Sequence, residues 1–585
     1  MNYSRHFRLA ALFLALSLML SACGPAKPST TEAPETTLPE TTEVPTTAEP
    51  TTEEPTTEEP TTEEPTTEEP TTEEPREPLT IEEHTLIDKD KVKVVIRDFV
   101  EDEEGAAINL SLSNGTEKNM ALCCTSLVLN GYTMTEPAGI QLEPNSEADA
   151  ELRIDRTATD ELGITEIGSV IVDYKVIDTD TGATVLDPDA YEIKTSAFER
   201  MEDSKDWEGR ELYNENDALI LLTDVTETRT GGTCFKLYVE NKTKKNFALV
   251  GVQAVVNGRR ADISYLGIVN AGGKALTDLI VTKTVKDKFG IGDETDSLEL
   301  SLEARDCSSW DLLFATGDMF CDLSGNAPTL SDEAEADTEF VPEKLLLEDD
   351  ALALTCLGWL PADGHGPGLK LQISNKTDKD IRFRVDEVIA DDYLMNNCGM
   401  IVPVTAGGTA DAALYLDQEV LNLTGNTEIG TVVLNCSLQD GETHKVLKSL
   451  AAVSVETAAK ERVKVADSAK GKTICNEKKL QIVAIAYTGY SETIGERLYL
   501  WVKNSSDKTM VLEPIYTKVN GSYMLGIGKL TVPPGKMTIG TYTVPARETA
   551  RHGLAEFRSM IMNTLVYDTA GKLQFTTLFG GIEIK

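Results

Sequence analysis

The chain has 585 residues, 41% of them hydrophobic, and a formal net charge of −44. So acidic a protein repels phosphates, which argues against nucleic acid as a partner. Its five histidines include no pair, with each other or with a cysteine, at metal-ligand spacing.

Residues 1–22 read as a secretory signal. Arg5 and Arg8 supply a positive start, and residues 9–20 form an apolar run too short for a permanent membrane span. The run ends in Leu20-Ser21-Ala22-Cys23. That tetrapeptide resembles a bacterial lipobox. The resemblance implies cleavage after Ala22 and a thioether-linked diacylglycerol on Cys23. The mature protein would then sit on the extracellular face of the cell membrane, anchored to it through the lipid without spanning it. The competing reading is an ordinary signal peptide with an incidental cysteine.

Residues 23–79 are a linker of Thr, Glu and Pro, with five tandem Thr-Thr-Glu-Glu-Pro copies over residues 51–75. Nothing there can be buried, and like charges repel, so the expectation is a disordered, extended stalk. At roughly 3 Å per residue it would reach on the order of 150 Å. Its Thr/Pro composition also suits O-linked sugars.

Four segments follow, at 80–198, 208–325, 343–457 and 470–585. Each contains an Asn-x-Thr/Ser-x-Lys stretch, starting at Asn114, Asn241, Asn375 and Asn504. Two, four and six residues before each Asn stand apolar residues, such as Leu112, Leu110 and Ile108, or Val502, Leu500 and Leu498. Six and eight residues after it come Met120 and Leu122, or Phe247 and Leu249. An apolar residue at every second position marks a strand with one buried face. The Asn stretch is therefore a turn between two strands. Further turns follow in register: Asn130-Gly131, Asn257-Gly258, Asp391-Asp392 and Asn520-Gly521, then Asn145-Ser146, Gly272-Gly273, Gly407-Gly408 and Pro534-Gly535. Asn-Gly is a strong hairpin signal, because both central residues of a type I′ turn need positive φ. A last turn opens on Asp178, Asp306, Asp440 and Asp568.

About seven short strands per segment, punctuated by turns, predict an all-β chain of four tandem immunoglobulin-like antiparallel β-sandwiches. The Cys…Trp…Cys core of antibody domains is absent. The pattern of an apolar strand ending in Asn-x-Thr-Asp-Lys resembles the immunoglobulin-like repeats of Gram-positive surface lipoproteins. That resemblance covers most of residues 80–585 and carries no catalytic or binding residue with it. The polar joints between segments suggest an elongated string with some freedom at each joint.

Several candidate sites compete with plainer readings. Each Asn stretch also spells a glycosylation acceptor, but the spelling falls where a turn is needed. Asp178-Thr179-Asp180-Thr181-Gly182 resembles the start of a calcium loop, yet it lacks the later Glu and sits at the last hairpin turn. Ten cysteines leave nine once Cys23 is set aside. Buried thiols fit better than disulfides, because no Cys position is shared by the four segments; Cys307–Cys321 is the pair to test. Trp310, Trp359 and Trp501 are candidates for a sugar platform, with Trp501 expected to point outward from its own sandwich. No CxxC, HExxH, GxSxG or phosphate loop is present. A glycosidase needs only two carboxylates placed in space, and the sequence nominates no such pair.

Cys23 is thus the one assigned site, for lipidation; no catalytic, cofactor-binding or metal-ligating residue is assigned. The expected role is a non-catalytic binding, adhesion or scaffolding module at the envelope, with an envelope or host polymer or protein as ligand. The alternative is a surface-anchored enzyme, such as a glycan-acting hydrolase, with its site in one segment. A transporter's solute receptor fits less well, since alternating helix and strand is missing.

Overall fold

The computed structural model describes residues 78–585, apart from 135–138, 179–182, 202–205, 264, 327–329, 333, 427, 489–494, 521, 525–527, 546–558, 570–571 and 584–585. The signal, the lipobox with Cys23 and the linker up to residue 77 lie outside the described residues, as do residues 179–182 of the calcium-loop candidate.

The described residues form antiparallel β-sandwiches. The second one shows the plan. One sheet carries Arg210–Glu215, Ala218–Glu227, Thr233–Asn241 and Lys274–Val281, in that order. The facing sheet is built on Phe247–Val256, which pairs with Arg259–Ala261 and Leu266–Val269 on one side and with Ser297–Asp306 on the other; Leu312–Asp322 closes it. The same order recurs in the other three. Apolar residues at alternate positions meet between the sheets. Phe235, Leu237 and Val239 from one face Leu298, Leu300 and Leu302 from the other, all buried.

The turn chemistry is as the spelling implies. Asn130 and Gly131 have φ of 46° and 85°, and Asp391 and Asp392 have 47° and 71°. Asn145, Gly272, Gly407 and Gly535 are all left-handed as well. The side chain at the start of the type I′ turn also ties the hairpin to a distant loop. Asn257 Oδ1 accepts from Asp296 N at 2.7 Å, while its Nδ2 donates to Glu294 O at 2.7 Å. Asn130 does the same with Gly168 N and Glu166 O.

Two further local features recur. Asp90-Lys91, Asn216-Asp217 and Lys478-Lys479 also have positive φ at both residues. Short helices follow the last strand of the first-described sheet in three sandwiches: Arg156–Glu161, Lys283–Phe289 and Gln418–Thr424. The side chains of Asp155, Thr282 and Asp417 cap them by accepting from backbone amides of the first turn.

The joints are not loose. At the first, Tyr132 pairs in parallel with Lys274, extending a sheet of the first sandwich into one of the second. At the third, Tyr393 and Leu394 pair in parallel with Met537 and Thr538. Lys274 N donates to Gly131 O at 2.9 Å, and Met537 N to Asp392 O at 3.0 Å. Counted from each Asn landmark, these are the same positions. The middle joint differs: Arg259 pairs antiparallel with Met400, and Ile401 N donates to Gly258 O at 2.7 Å. The fourth segment also touches the second through Arg305–Glu513 at 2.5 Å and Lys529–Glu303 at 2.8 Å. The expected string with freedom at its joints is therefore corrected. Continuous sheets cross the boundaries, and non-neighbouring segments meet.

Candidate functional site

The shared Asn is structural. Asn241 is fully buried; its Oδ1 accepts from Thr243 N at 2.9 Å and Thr243 Oγ1 at 2.7 Å. Its Nδ2 donates to Lys245 O at 2.9 Å and Val269 O at 3.0 Å. Asn114, Asn375 and Asn504 make equivalent bonds and are equally enclosed. An amide nitrogen committed in this way is not available to a sugar in the folded protein. The Lys that ends the stretch reaches the last turn in three segments: Lys118–Asp178 at 2.8 Å, Lys245–Asp306 at 2.6 Å and Lys508–Asp568 at 3.0 Å. Burial works to raise the Asp306 carboxyl, but bonds from Lys245 and Ser308 outweigh it and bring it down to about 2.

The same turn bears on the calcium reading. Asp306 Oδ1 accepts from Ser308 N at 2.9 Å, and Asp440 Oδ1 accepts from Thr443 N at 2.7 Å. These carboxylates are occupied as turn acceptors. Among the described residues no group of three His, Cys, Asp or Glu is placed to hold a metal.

The tryptophans are not an open platform. Trp310, Trp359 and Trp501 are 7%, 8% and 1% exposed. The register reading of Trp501 holds: Leu498, Leu500 and Val502 face the fourth sandwich's own core, while Tyr499 and Trp501 face away. What covers Trp501 is the third sandwich, where its Nε1 donates to Tyr393 Oη at 3.1 Å. At the first joint Tyr132 Oη accepts from Trp207 Nε1 at 2.9 Å, and Tyr238 stands where Trp501 does. Trp310 is unusual for another reason. It has φ of 60°, at a hairpin position that favours glycine. His444 occupies the matching place in the third segment with φ of 59°.

The cysteines behave as small hydrophobes where they can be followed. Cys234, Cys321, Cys356, Cys398 and Cys436 are buried free thiols, so the Cys307–Cys321 pair does not form. Burial pushes the thiols of Cys234, Cys398 and Cys436 up to about 12, which suppresses the reactive thiolate. Cys123 and Cys124 face opposite sides of their strand, in separate clusters.

The concave feature with the richest chemistry lies where the second, third and fourth segments meet. It is a cleft of ≈ 470 Å³. The second segment lends it Arg260, Asp262, Glu303 and Arg305; the third lends Asp386, Glu387 and Asn396; the fourth lends Arg497, Glu513 and Lys529. Trp310, Val250 and Ile263 form an apolar wall. Most of its charges are spent on each other. Arg305 is buried between Glu303 and Glu513, Lys529 holds Glu303, and Arg497 holds Asp262 at 3.3 Å. Burial works to raise Glu303, but Lys529 and Arg305 win and keep it below its usual range, ionised at neutral pH. Burial raises Asp386, against the opposing pull of Ser437 and Arg384. Sequence reasoning missed this cleft, because its walls come from three segments and none of its side chains sits at a shared repeat position.

No helix among the described residues is long and apolar enough to cross a membrane. No protein-family model matches the chain, and no curated protein matches it. Among solved structures, the Salmonella enterica SafA pilin in complex with the SafB chaperone aligns at 13% identity and a TM-score of 0.11, over 36% of this chain and 88% of that one. Escherichia coli alpha-2-macroglobulin activated by porcine elastase aligns at 9% identity and 0.13, over 87% of this chain and 44% of that one. The Amycolatopsis orientalis exo-chitosanase CsxA aligns at 7% identity and 0.14, over 82% and 92%. At these scores the likenesses carry no argument about activity.

Proposed function

We propose that this protein is a lipid-anchored module at the outer face of the cell membrane that binds or scaffolds without chemistry of its own. The observation that carries this reading is where the recurring polar groups go. The shared Asn, Thr or Ser, Lys and Asp residues close turns, and the tyrosines at the first and third joints fasten sandwich to sandwich. A chain that spends its repeated polar groups this way holds surfaces in fixed relation. The lipobox spelling supplies the anchor, and the linker supplies reach beyond the lipid. Fixed surfaces suit a repeating envelope or host polymer, because each further contact becomes intramolecular.

Two measurements test this. Cys23→Ser should release the protein into the medium or leave it with an uncleaved signal; unchanged lipid labelling would sink the anchor. The Cys23→Ser protein, probed on a glycan and matrix-protein array, should bind without turnover. Hydrolysis of any array substrate, abolished by one carboxylate substitution, would replace this reading with the enzyme.

A further inference from the structure

The three-segment cleft contains four cations, and three of them are neutralised where they stand. Arg305 is held by Glu303 and Glu513, Lys529 by Glu303, and Arg497 by Asp262. Arg260 has no ion-pair partner among the described residues, although it lines the same cleft and is only partly exposed. Its course is set by the backbone. Arg260 N donates to Gly399 O at 3.1 Å, and the aliphatic stem lies over Gly399, where a Cβ would stand 3.5 Å from Arg260 Cδ. Burial, with Arg384 close by, keeps the guanidinium below its ordinary proton affinity. Asp386 and Glu387 are near enough to pull the other way, but neither stands at ion-pair distance, so the guanidinium keeps free a planar fork that matches a carboxylate.

The charge around Arg260 narrows the ligand. Asp386 and Glu387 line the same cleft. Asp386 already meets Arg384 at 3.2 Å, whereas Glu387 is held by a single neutral donor, Asn435 Nδ2 at 2.8 Å. A simple anion would meet this carboxylate and the field of a chain carrying −44. A molecule with both a carboxylate and an ammonium satisfies the two ends together and arrives with no net charge. Gln253 and Asn397 add side-chain amides to the lining, and Trp310 and Ile263 give an apolar wall.

We propose that this cleft binds a small zwitterion, an amino acid or a short peptide, with its carboxylate on Arg260 and its ammonium toward Glu387. This goes beyond the scaffold reading and does not depend on it, since a scaffold need hold no small molecule and the site would survive loss of the anchor.

The test is calorimetric titration of the full-length protein, in detergent, with glycylglycine, N-acetylglycylglycine, glycylglycinamide and free glycine. Glycylglycine should bind saturably, and each blocked dipeptide should bind about tenfold or more weakly, having lost one charge-assisted contact. Glycine binding as well as the dipeptide would assign the site to amino acids; weaker binding would assign it to peptides. Arg260→Gln should weaken glycylglycine about as much as blocking its carboxylate does, and Glu387→Gln should remove the discrimination against the acetylated form. The ligand arms stand without the variants, so a variant that fails to fold leaves the decision intact. No saturable binding of either glycylglycine or glycine up to about 10 mM, or equal binding of the amide, would overturn the proposal.

Discussion

The first and third joints are built alike, and the middle joint is built differently. In the matching pair, a Tyr eighteen residues past the Asn landmark (Tyr132, Tyr393) pairs in parallel with the strand of the next sandwich, and its hydroxyl accepts from an indole. In the middle joint the same position holds Arg259. Its guanidinium is buried and donates to Ala413 O at 2.5 Å and Leu330 O at 2.9 Å, over the ring of Tyr415. Ion pairs cross the same joint: Arg382–Glu299 at 2.5 Å, Arg384–Asp318 at 2.6 Å and Lys288–Asp417 at 2.6 Å. The joint is thus aromatic where this position holds Tyr, and carries buried polar contacts and ion pairs where it holds Arg259. The three-segment cleft lies beside the ionic joint, with Arg260 next in sequence to Arg259.

The comparison breaks most visibly at the side chains that fill each joint. Arg259→Ala removes two charge-assisted hydrogen bonds, the one to Ala413 O and one of the two that Leu330 O accepts, and should cost about 3–5 kcal/mol in chemical denaturation. Trp501→Ala opens a cavity at the third joint and should cost a similar ~3–5 kcal/mol. Trp207→Ala, at the first joint, removes a less enclosed indole and should cost less. Equal, negligible losses from all three would mean that the joints contribute nothing to stability.

Backbone space gives the next test. The residue after the hairpin Asn or Asp is Gly131, Gly258 or Asp392, each with positive φ. An added Cβ at Gly131 meets nothing within 4 Å, whereas at Gly258 it would stand 2.5 Å from Ile401 O. Gly131→Ala should therefore cost only its backbone strain, about 1–2 kcal/mol. Gly258→Ala should cost about 1–3 kcal/mol more, by pushing the middle joint apart. Melting temperatures of the two variants check this, and an equal drop in both would contradict the close approach.

A smaller effect tests what all the sandwiches share. Asn375→Ala removes the buried amide of its turn and should cost about 1–3 kcal/mol wherever the joints stand. The smallest effect concerns pH. The Asp306 carboxyl lies below its ordinary value, so its contribution to stability is complete above about 4 and is lost as pH falls toward about 2. Lys245→Ala should shrink that acid-side loss. An unchanged stability–pH curve between those limits would show that the pair is not felt.

The turns were legible from the amino acids because they obey local rules. Positive φ selects Asn, Asp and Gly, and strands with one buried face show period two. Lys478-Lys479 escaped, because lysine is no turn former by spelling, and only the tight connection between its flanking strands imposes the conformation. The joints escaped for a different reason. Trp501 looks outward from its own sandwich, and nothing local reveals that another sandwich covers it. The cleft was hidden further still: Arg260, Glu387 and Lys529 stand far apart in the chain, and only the meeting of three segments assembles them.

The central claim is that sheets run through the joints and hold the sandwiches as one body. Native-state hydrogen exchange tests it at three amides: Lys274, Met537 and Ile401, which donate across the first, third and middle joints. The account predicts protection comparable to that of amides in the central strands, such as Leu237 and Leu371. Exchange at the rate of exposed loops, with the central strands still protected, would show that the joints open freely and would contradict it.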